Sequence, residues 1–340
     1  MRGATIKDVA KSCGISVSTV SRVLNDRPDV NPATREKVQS AIRELAFVPN
    51  NSARNLVKTE TANLAVIVRG FNNPFFARLL KAVETDVYNS GYAMVLHHID
   101  SSADEIMAAA MLAAEKRLCG VMFMGGRFDY APKELNMLSV PYVCVTYTNT
   151  FGSLADTDYA SVAIDDYREA WRAVEYLYER GHRRIAAIVS GKADRSVSEL
   201  RYRGYRDALL HFGIEPDEAL VRESKDFSLA GGYRATQSLL ESGADFTALF
   251  VIADTMAVAA IKALRDNGRR VPEDCSLISI DGLDISAYVD PVLTTLEQPA
   301  EDIAHAGVKL LIGLMEGTGG NAHSYFPAIL REGGSVRELD

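Results

Sequence analysis

Residues 5–25 read Thr5-Ile-Lys-Asp8-Val-Ala-Lys-Ser-Cys-Gly14-Ile-Ser16-Val-Ser-Thr-Val-Ser-Arg22-Val-Leu-Asn25, and this stretch decides the N-terminal fold. Thr5 and Asp8 form a capping-box pattern: the hydroxyl covers an orphan amide and the carboxylate answers the cap's own N–H, so a helix begins at Ile6. Gly14 ends it, because a residue without Cβ enters the left-handed cap conformation without steric cost. Ser16 then caps a second helix over residues 17–25. Two helices separated by three or four residues have helix-turn-helix spacing. Asn31-Pro32 opens a third helix, with Pro at the first helical position, where its missing N–H costs nothing. Val38, Ala41, Ile42 and Leu45 fall on one stripe of it. Val9, Ala10, Val20, Val23, Leu24, Ile42 and Leu45 supply the expected core. Val17, Ser18, Thr19, Ser21 and Arg22 cannot all face that core. Short side chains let a helix start approach a base edge, Arg22 can donate two hydrogen bonds to a guanine, and Val17 can touch a thymine methyl.

Charge supports the same division. The chain has 340 residues and a formal net charge of −8, yet residues 1–60 hold ten Lys and Arg against six Asp and Glu, while the other 280 hold 27 against 39. A basic head on an acidic body is expected where one end meets phosphate and the rest does not. The length implies two or three domains. No secretory leader pattern is legible near Met1 and no run approaches the ~20 apolar residues of a membrane span, so a cytoplasmic protein is expected. Cys13, Cys119, Cys144 and Cys275 are widely spaced and read as buried or inert thiols. His97, His98 and His182 lack metal-ligand spacing and read as structural, so no metal site is expected.

Between head and body, Pro49–Lys58 is polar, but Ala53, Leu56 and Val57 share one helical face. A helix of about eight residues is marginal in water and orders only against a partner. From Leu64 onward, strand-like apolar runs (64–68, 93–96, 121–124, 142–145, 162–164, 185–189, 248–252, 277–280) alternate with amphipathic segments (76–88, 105–116, 167–179, 198–210, 229–240, 255–266). That alternation predicts parallel sheets covered by helices, in a series too long for one sheet. Two lobes follow, with a ligand between them at the carboxyl ends of the strands. Trp171, on an amphipathic helix, reads as core or interface.

The motifs Ala4-Thr-Ile-Lys-Asp-Val-Ala-Lys11, Gly14 through Asn25, Thr34-Arg-Glu-Lys-Val38 and Phe47-Val-Pro-Asn50 resemble the lactose/purine repressor family, and the resemblance extends over residues 4–336. It implies an N-terminal all-α helix-turn-helix domain (1–48), a hinge helix or linker (49–61), and an effector-binding and dimerisation domain (62–340) like the sugar-binding proteins of the bacterial periplasm. Within that α/β domain it implies two doubly wound parallel-sheet lobes, the first about 62–161 and 292–323, the second about 162–291 and 324–340. It makes Val17, Ser18 and Arg22 base readers, with Thr5, Ser16, Thr19, Ser21, Asn25, Asn31 and Thr34 as phosphate or positioning contacts. In the hinge, Asn50, Ala53, Arg54 and Leu56 would meet DNA, the leucine wedging into a base step of the minor groove.

For the cleft the resemblance implies Phe71, Phe75 and Phe76 after the first strand, with Tyr147, Arg195, an effector-clamping Arg201, an aromatic platform at Phe227, Asp254, and Asp281 as acceptor of effector hydroxyls. Two positions depart from the pattern: Thr146 stands where many relatives have Asp, and Ala253 where sugar-responsive ones often have Asn. The tail Arg331-Glu-Gly-Gly-Ser-Val336 carries an extra Gly. The expected protein is a dimeric, sequence-specific repressor of a near-palindromic operator, controlled by a small-molecule effector, a sugar or sugar derivative, with no cofactor and no membrane partner. The competing class, a solute-binding or enzymatic α/β protein with an incidental head, lacks a leader pattern, a Gly-x-Ser-x-Gly elbow, a Walker motif and a Gly-x-Gly-x-x-Gly loop.

Overall fold

The computed structural model describes residues 4–24, 27, 30–45, 47, 62–70, 73–100 and 103–339. The expected hinge at 49–61, with Asn50, Ala53, Arg54 and Leu56, lies outside them, as do Asn25 and Phe71. The chain divides into two compact units, Met1–Thr61 and Ala62–Asp340.

In the first unit, α1 (Ile6–Cys13), α2 (Val17–Leu24) and α3 (Pro32–Glu44) form three packed helices. The capping box is complete: the Asp8 carboxylate accepts from the Thr5 N–H at 2.8 Å and the Asp8 N–H donates to the Thr5 hydroxyl. Gly14 adopts φ 62°, the left-handed cap. Ser16 Oγ accepts from Thr19 N at 3.1 Å, and Asn31 Oδ1 accepts from Ala33 N at 2.9 Å. Val9, Val20 and Val38 are fully buried at the centre, each contributing roughly 1.5–3 kcal/mol. Leu45, expected in this core, is exposed instead. The helix ends at Glu44, the chain turns at Leu45, and Phe47 folds back to fill the place, its N–H bonding to Ile42 O at 3.0 Å.

The second unit contains two six-stranded sheets. The first takes β1 (Asn63–Arg69), β2 (Ala93–Ile99), β3 (Leu118–Met124), β4 (Tyr142–Val145), β5 (Ser161–Ala163) and, late in the chain, β11 (His323–Tyr325), in the order β11-β5-β4-β3-β1-β2. The second takes β6 (Ile185–Val189), β7 (Val221–Glu223), β8 (Ala248–Val251), β9 (Ser276–Asp281), β10 (Thr294–Glu297) and β12 (Ile329–Arg331), in the order β12-β10-β9-β8-β6-β7. Every pairing is parallel except β10 with β12. Parallel strands need crossovers, supplied in the first sheet by α4 (Phe75–Asn89), α5 (Glu105–Lys116) and the short α6 (Pro132–Leu135); α7 (Asp166–Glu179) leads from β5 to β6 of the second sheet, whose crossovers are α8 (Val197–His211), α9 (Leu229–Glu241) and α10 (Asp254–Asp266). In β1 the side chains alternate between two apolar clusters, Leu64, Val66 and Val68 on one face and Ala65 and Ile67 on the other, as expected of a strand covered on both sides. Both sheets have the flavodoxin-like order 2-1-3-4-5, so each has its switch point beside its first strand, and the crevice opens at the carboxyl ends there.

The chain crosses between lobes three times. Because β10 belongs to the second sheet, the return crossing falls at residues 298–299, correcting an expected boundary near 291. From there α11 (Ala300–Glu316) packs on α4, β3 and β4 of the first lobe. The outer crossings fall at 164–165 and 326–328, each a few residues later than expected. β10, Thr-Thr-Leu-Glu, is fully buried although three of its four residues are polar, so an apolar run does not mark it. Trp171 packs within its lobe, its ring centroid 5.1 Å from His211 and 6.3 Å from Phe212.

Candidate functional site

Each unit presents a candidate surface. On α2, Val20 and Val23 face the core, while Val17, Ser18 and Arg22 are exposed. At 100° per residue the three exposed positions span about 140° of the helix, a single face running from its first residue to its last turn. Ser16 Oγ lies 2.7 Å from Ser18 Oγ and 2.8 Å from Thr19 Oγ1, so a hydroxyl cluster edges that face. Thr5 and Asn31 are spent on helix caps and Thr34 is half-buried, which fits positioning better than base reading.

The second unit holds a cleft of about 650 Å³ between its lobes, built from loops at the carboxyl ends of β1, β3, β6 and β9. At its base lies a buried polar cluster. Arg201 projects from one turn inside α8 and is held by Asp166, with Nε and Nη2 each 2.8 Å from Oδ1, while its Nη1 donates to the Ile252 carbonyl and lies 3.6 Å from Asp281 Oδ1. Asp281 accepts from Gln298 Nε2 at 2.7 Å and from Asn73 Nδ2 at 3.0 Å. Asn73 belongs to the first lobe and Asp281 to the second, so this bond crosses the cleft. Burial raises the Asp281 carboxyl above its ordinary range and outweighs Arg201, and burial likewise pushes Asp166 up to about 6 against the pull of Arg201.

A second polar group stands nearer the mouth. Asp129 accepts from Arg127 Nε at 2.9 Å and pairs across the cleft with Arg195 Nη1 at 3.4 Å. Deeper in the first lobe, Arg69 Nη1 lies 3.6 Å from the buried Glu105, which also accepts from the Arg127 N–H at 2.7 Å and from Tyr130 Oη. The lining holds five cations, Arg69, Arg127, Arg195, Arg201 and Lys225, and five aspartates, 100, 129, 194, 226 and 281. Phe75, Phe76 and Phe128 from one lobe and Phe227 from the other add apolar faces. Among the described residues, five non-glycine positions have positive φ, and four of them, Thr146 (73°), Arg195 (51°), Lys225 (71°) and Asp281 (135°), line the cleft. Such backbone costs roughly 1–3 kcal/mol apiece and persists where the surroundings over-determine it, commonly at ligand sites.

The cleft thus gathers Phe75, Phe76, Arg195, Arg201, Phe227 and Asp281 of the expected residues, but neither Tyr147 nor Asp254. Tyr147 is buried with its ring 5.3 Å from Phe128, behind Gly126, where a Cβ would collide with the phenol. Asp254 is fully buried, its carboxylate taken up by Ser279 Oγ, Ser286 Oγ, Thr295 Oγ1 and the Leu283 N–H at 2.5–2.8 Å. Burial raises its carboxyl to about 6. It fastens β9, β10 and the turn between them, leaving no lone pair for a ligand. Asn73, Asp129, Arg127 and Gln298 escaped sequence reading, though each follows the end of a strand. His98, read as structural, lines the cleft, whereas His182 is buried between Thr247 Oγ1 and the Arg337 carbonyl. Burial pushes the thiols of Cys144 and Cys275 up to about 12, as inert cysteines require. No group of three or more His, Cys, Asp or Glu among the described residues could hold a metal, and no helix there is long and apolar enough to cross a membrane.

Comparison with known proteins joins the two surfaces. The model described as bacterial regulatory proteins, lacI family, matches residues 5–50, and that of a periplasmic binding protein-like domain matches 174–336. The regulator MalR of Clostridium butyricum is 38% identical over 94% of this chain and 95% of its own length. The chain belongs to the LacI family. Among solved structures, a complex of the transcriptional regulator CelR with cellobiose matches 98% of this LacI-family chain and 99% of its own at 32% identity and a TM-score of 0.73. A lac repressor dimer bound to operator and the anti-inducer ONPF matches 99% and 100% at 25% identity and a TM-score of 0.76. This family member is a transcription regulator, not an enzyme, with a helix-turn-helix domain ahead of a periplasmic-binding-protein-like domain of two parallel-sheet lobes.

Proposed function

We propose that this LacI-family regulator is a cytoplasmic repressor that binds a near-palindromic operator as a homodimer, and that a sugar or sugar derivative in the cleft sets its operator affinity. Val17, Ser18 and Arg22 read bases, Ser16, Thr19, Ser21, Asn25, Asn31, Thr34 and Thr5 position the helices, and the hinge residues Asn50, Ala53, Arg54 and Leu56 enter the minor groove. One recognition helix reads few base pairs, so two half-sites are required. The observation that carries the reading is the Asn73–Asp281 bond across the cleft, backed by Arg201. A hydroxylated molecule that takes over these partners interacts differently with open and closed lobes, which is the requirement for shifting a two-state equilibrium. Selection from a random duplex pool followed by fluorescence anisotropy tests it. One sequence class should bind with a steep loss of affinity as salt rises, and the carbohydrate identified by thermal shift should change that affinity. A chain that retains no sequence class, with or without ligand, is not this repressor.

A further inference from the structure

Taking the cleft as a carbohydrate site, we propose that its ligand is an uncharged carbohydrate of at least two linked rings, lying from the buried Arg201–Asp281 cluster to the Arg195–Asp129 bridge at the mouth. The charge pattern carries the first half. The cleft's cations equal its aspartates in number, and four of the five have a carboxylate within 3.6 Å: Glu105, Asp166 and an Asp129 shared by two arginines. A phosphate or carboxylate ligand at the base of the cleft would have to displace Glu105 from Arg69 or Asp166 from Arg201 and leave that buried carboxylate beside its own charge, which opposes an anionic ligand there. A neutral polyol meets what is offered, paired donors and acceptors whose remaining capacity suits hydroxyl groups.

Length carries the second half. Arg201 lies four residues into α8, about 6 Å of helical rise from Val197, and Arg195 stands two residues before that helix begins. Both polar groups bridge the lobes, at Asn73–Asp281 inside and Arg195–Asp129 outside, so a ligand can be gripped from both sides at two places along the cleft. Backbone strain marks both ends, at Arg195 and at Asp281. Two linked rings present hydroxyls to both groups at once, each ring held from both lobes. Phe227 on one lobe and Phe75, Phe76 and Phe128 on the other offer apolar surface to ring C–H faces.

The test is isothermal titration calorimetry of the full-length chain with maltose, cellobiose, lactose, sucrose, glucose, galactose and glucose 6-phosphate. At least one disaccharide should bind about tenfold tighter than its own hexose, and glucose 6-phosphate should bind no tighter than glucose. Arg195 is 64% exposed, so its removal spares the fold, and Arg195→Ala should weaken that disaccharide about fivefold or more while leaving the hexose within about twofold. A hexose that matches every disaccharide, a preference for the phosphate, or equal weakening of both by Arg195→Ala overturns the proposal and leaves the carbohydrate reading standing. A chain that binds no carbohydrate of any length overturns both.

Discussion

Head and cleft arrange their functional side chains by opposite means. In the head, every candidate among the described residues lies between Thr5 and Thr34, and the helices that carry them are set by bonds spanning two or three residues, such as Thr5–Asp8, Ser16–Thr19 and Asn31–Ala33. In the cleft, Asn73, Arg201, Asp281 and Gln298 meet from four distant segments and two lobes. A locally encoded surface can lose one side chain and keep its shape. A cleft whose charged groups are buried against each other cannot.

That contrast sets the size of each effect. Arg201→Met leaves Asp166 and Asp281 buried without their cation, a loss of about 3–5 kcal/mol. Thermal unfolding of the body should fall by several degrees and the ligand-induced shift should vanish, with sequence-specific DNA binding retained where the protein stays folded. Unchanged melting would mean that the buried carboxyls take up protons and need no arginine. Arg22→Ala should cost about 1–3 kcal/mol of discrimination per half-site in anisotropy and leave both melting and ligand binding alone. Equal weakening on every sequence would move Arg22 from base reader to phosphate contact. Thr5→Ala breaks the capping box for about 0.5–2 kcal/mol, visible as faster hydrogen exchange of α1 amides with no change in the body.

The smallest effect concerns protons. Burial raises the Asp254 carboxyl to about 6 from an ordinary value near 3.8, so the folded chain holds that proton more tightly than the unfolded one. Its contribution to stability is therefore fully present below about pH 4 and is lost as pH rises through about 6. Asp254→Asn cannot titrate, so its deficit relative to the parent should widen by on the order of 1 kcal/mol between pH 7 and pH 5 in chemical denaturation. Differencing the two proteins removes His182, which burial lowers and which loses stability as pH falls from the ordinary histidine range. A deficit that narrows toward pH 5 would show that the four donors around Asp254 outweigh its burial.

What is legible in the amino-acid sequence follows the same line. The caps at Thr5, Gly14, Ser16 and Asn31, and the apolar runs of β1, β3, β6 and β8, are local signals, and the structure bears them out. β7, β11 and β12 escaped because three-residue edge strands such as His323-Ser-Tyr325 carry no apolar alternation. β10 escaped because its threonines and Glu297 are buried by partners elsewhere: Glu297 is held by Arg78 Nη1 at 2.7 Å and by Arg331. Resemblance alone puts Asp254 in the cleft, and only the geometry shows its carboxylate filled by hydroxyls from three other segments. Asn73 and Gln298 have ordinary neighbours in sequence, and the fold alone brings them to Asp281.

The most direct trial of the whole account is a titration of the selected operator with full-length protein, in the presence and absence of the carbohydrate found by calorimetry. The prediction is a shift of about fivefold or more in operator Kd for the parent chain. The same titration with Arg201→Lys, which keeps the charge but loses the fork that reaches Asp166, Asp281 and the Ile252 carbonyl, should show tight operator binding that no longer responds. A parent chain whose operator affinity is identical with and without a ligand that demonstrably occupies the cleft would contradict it.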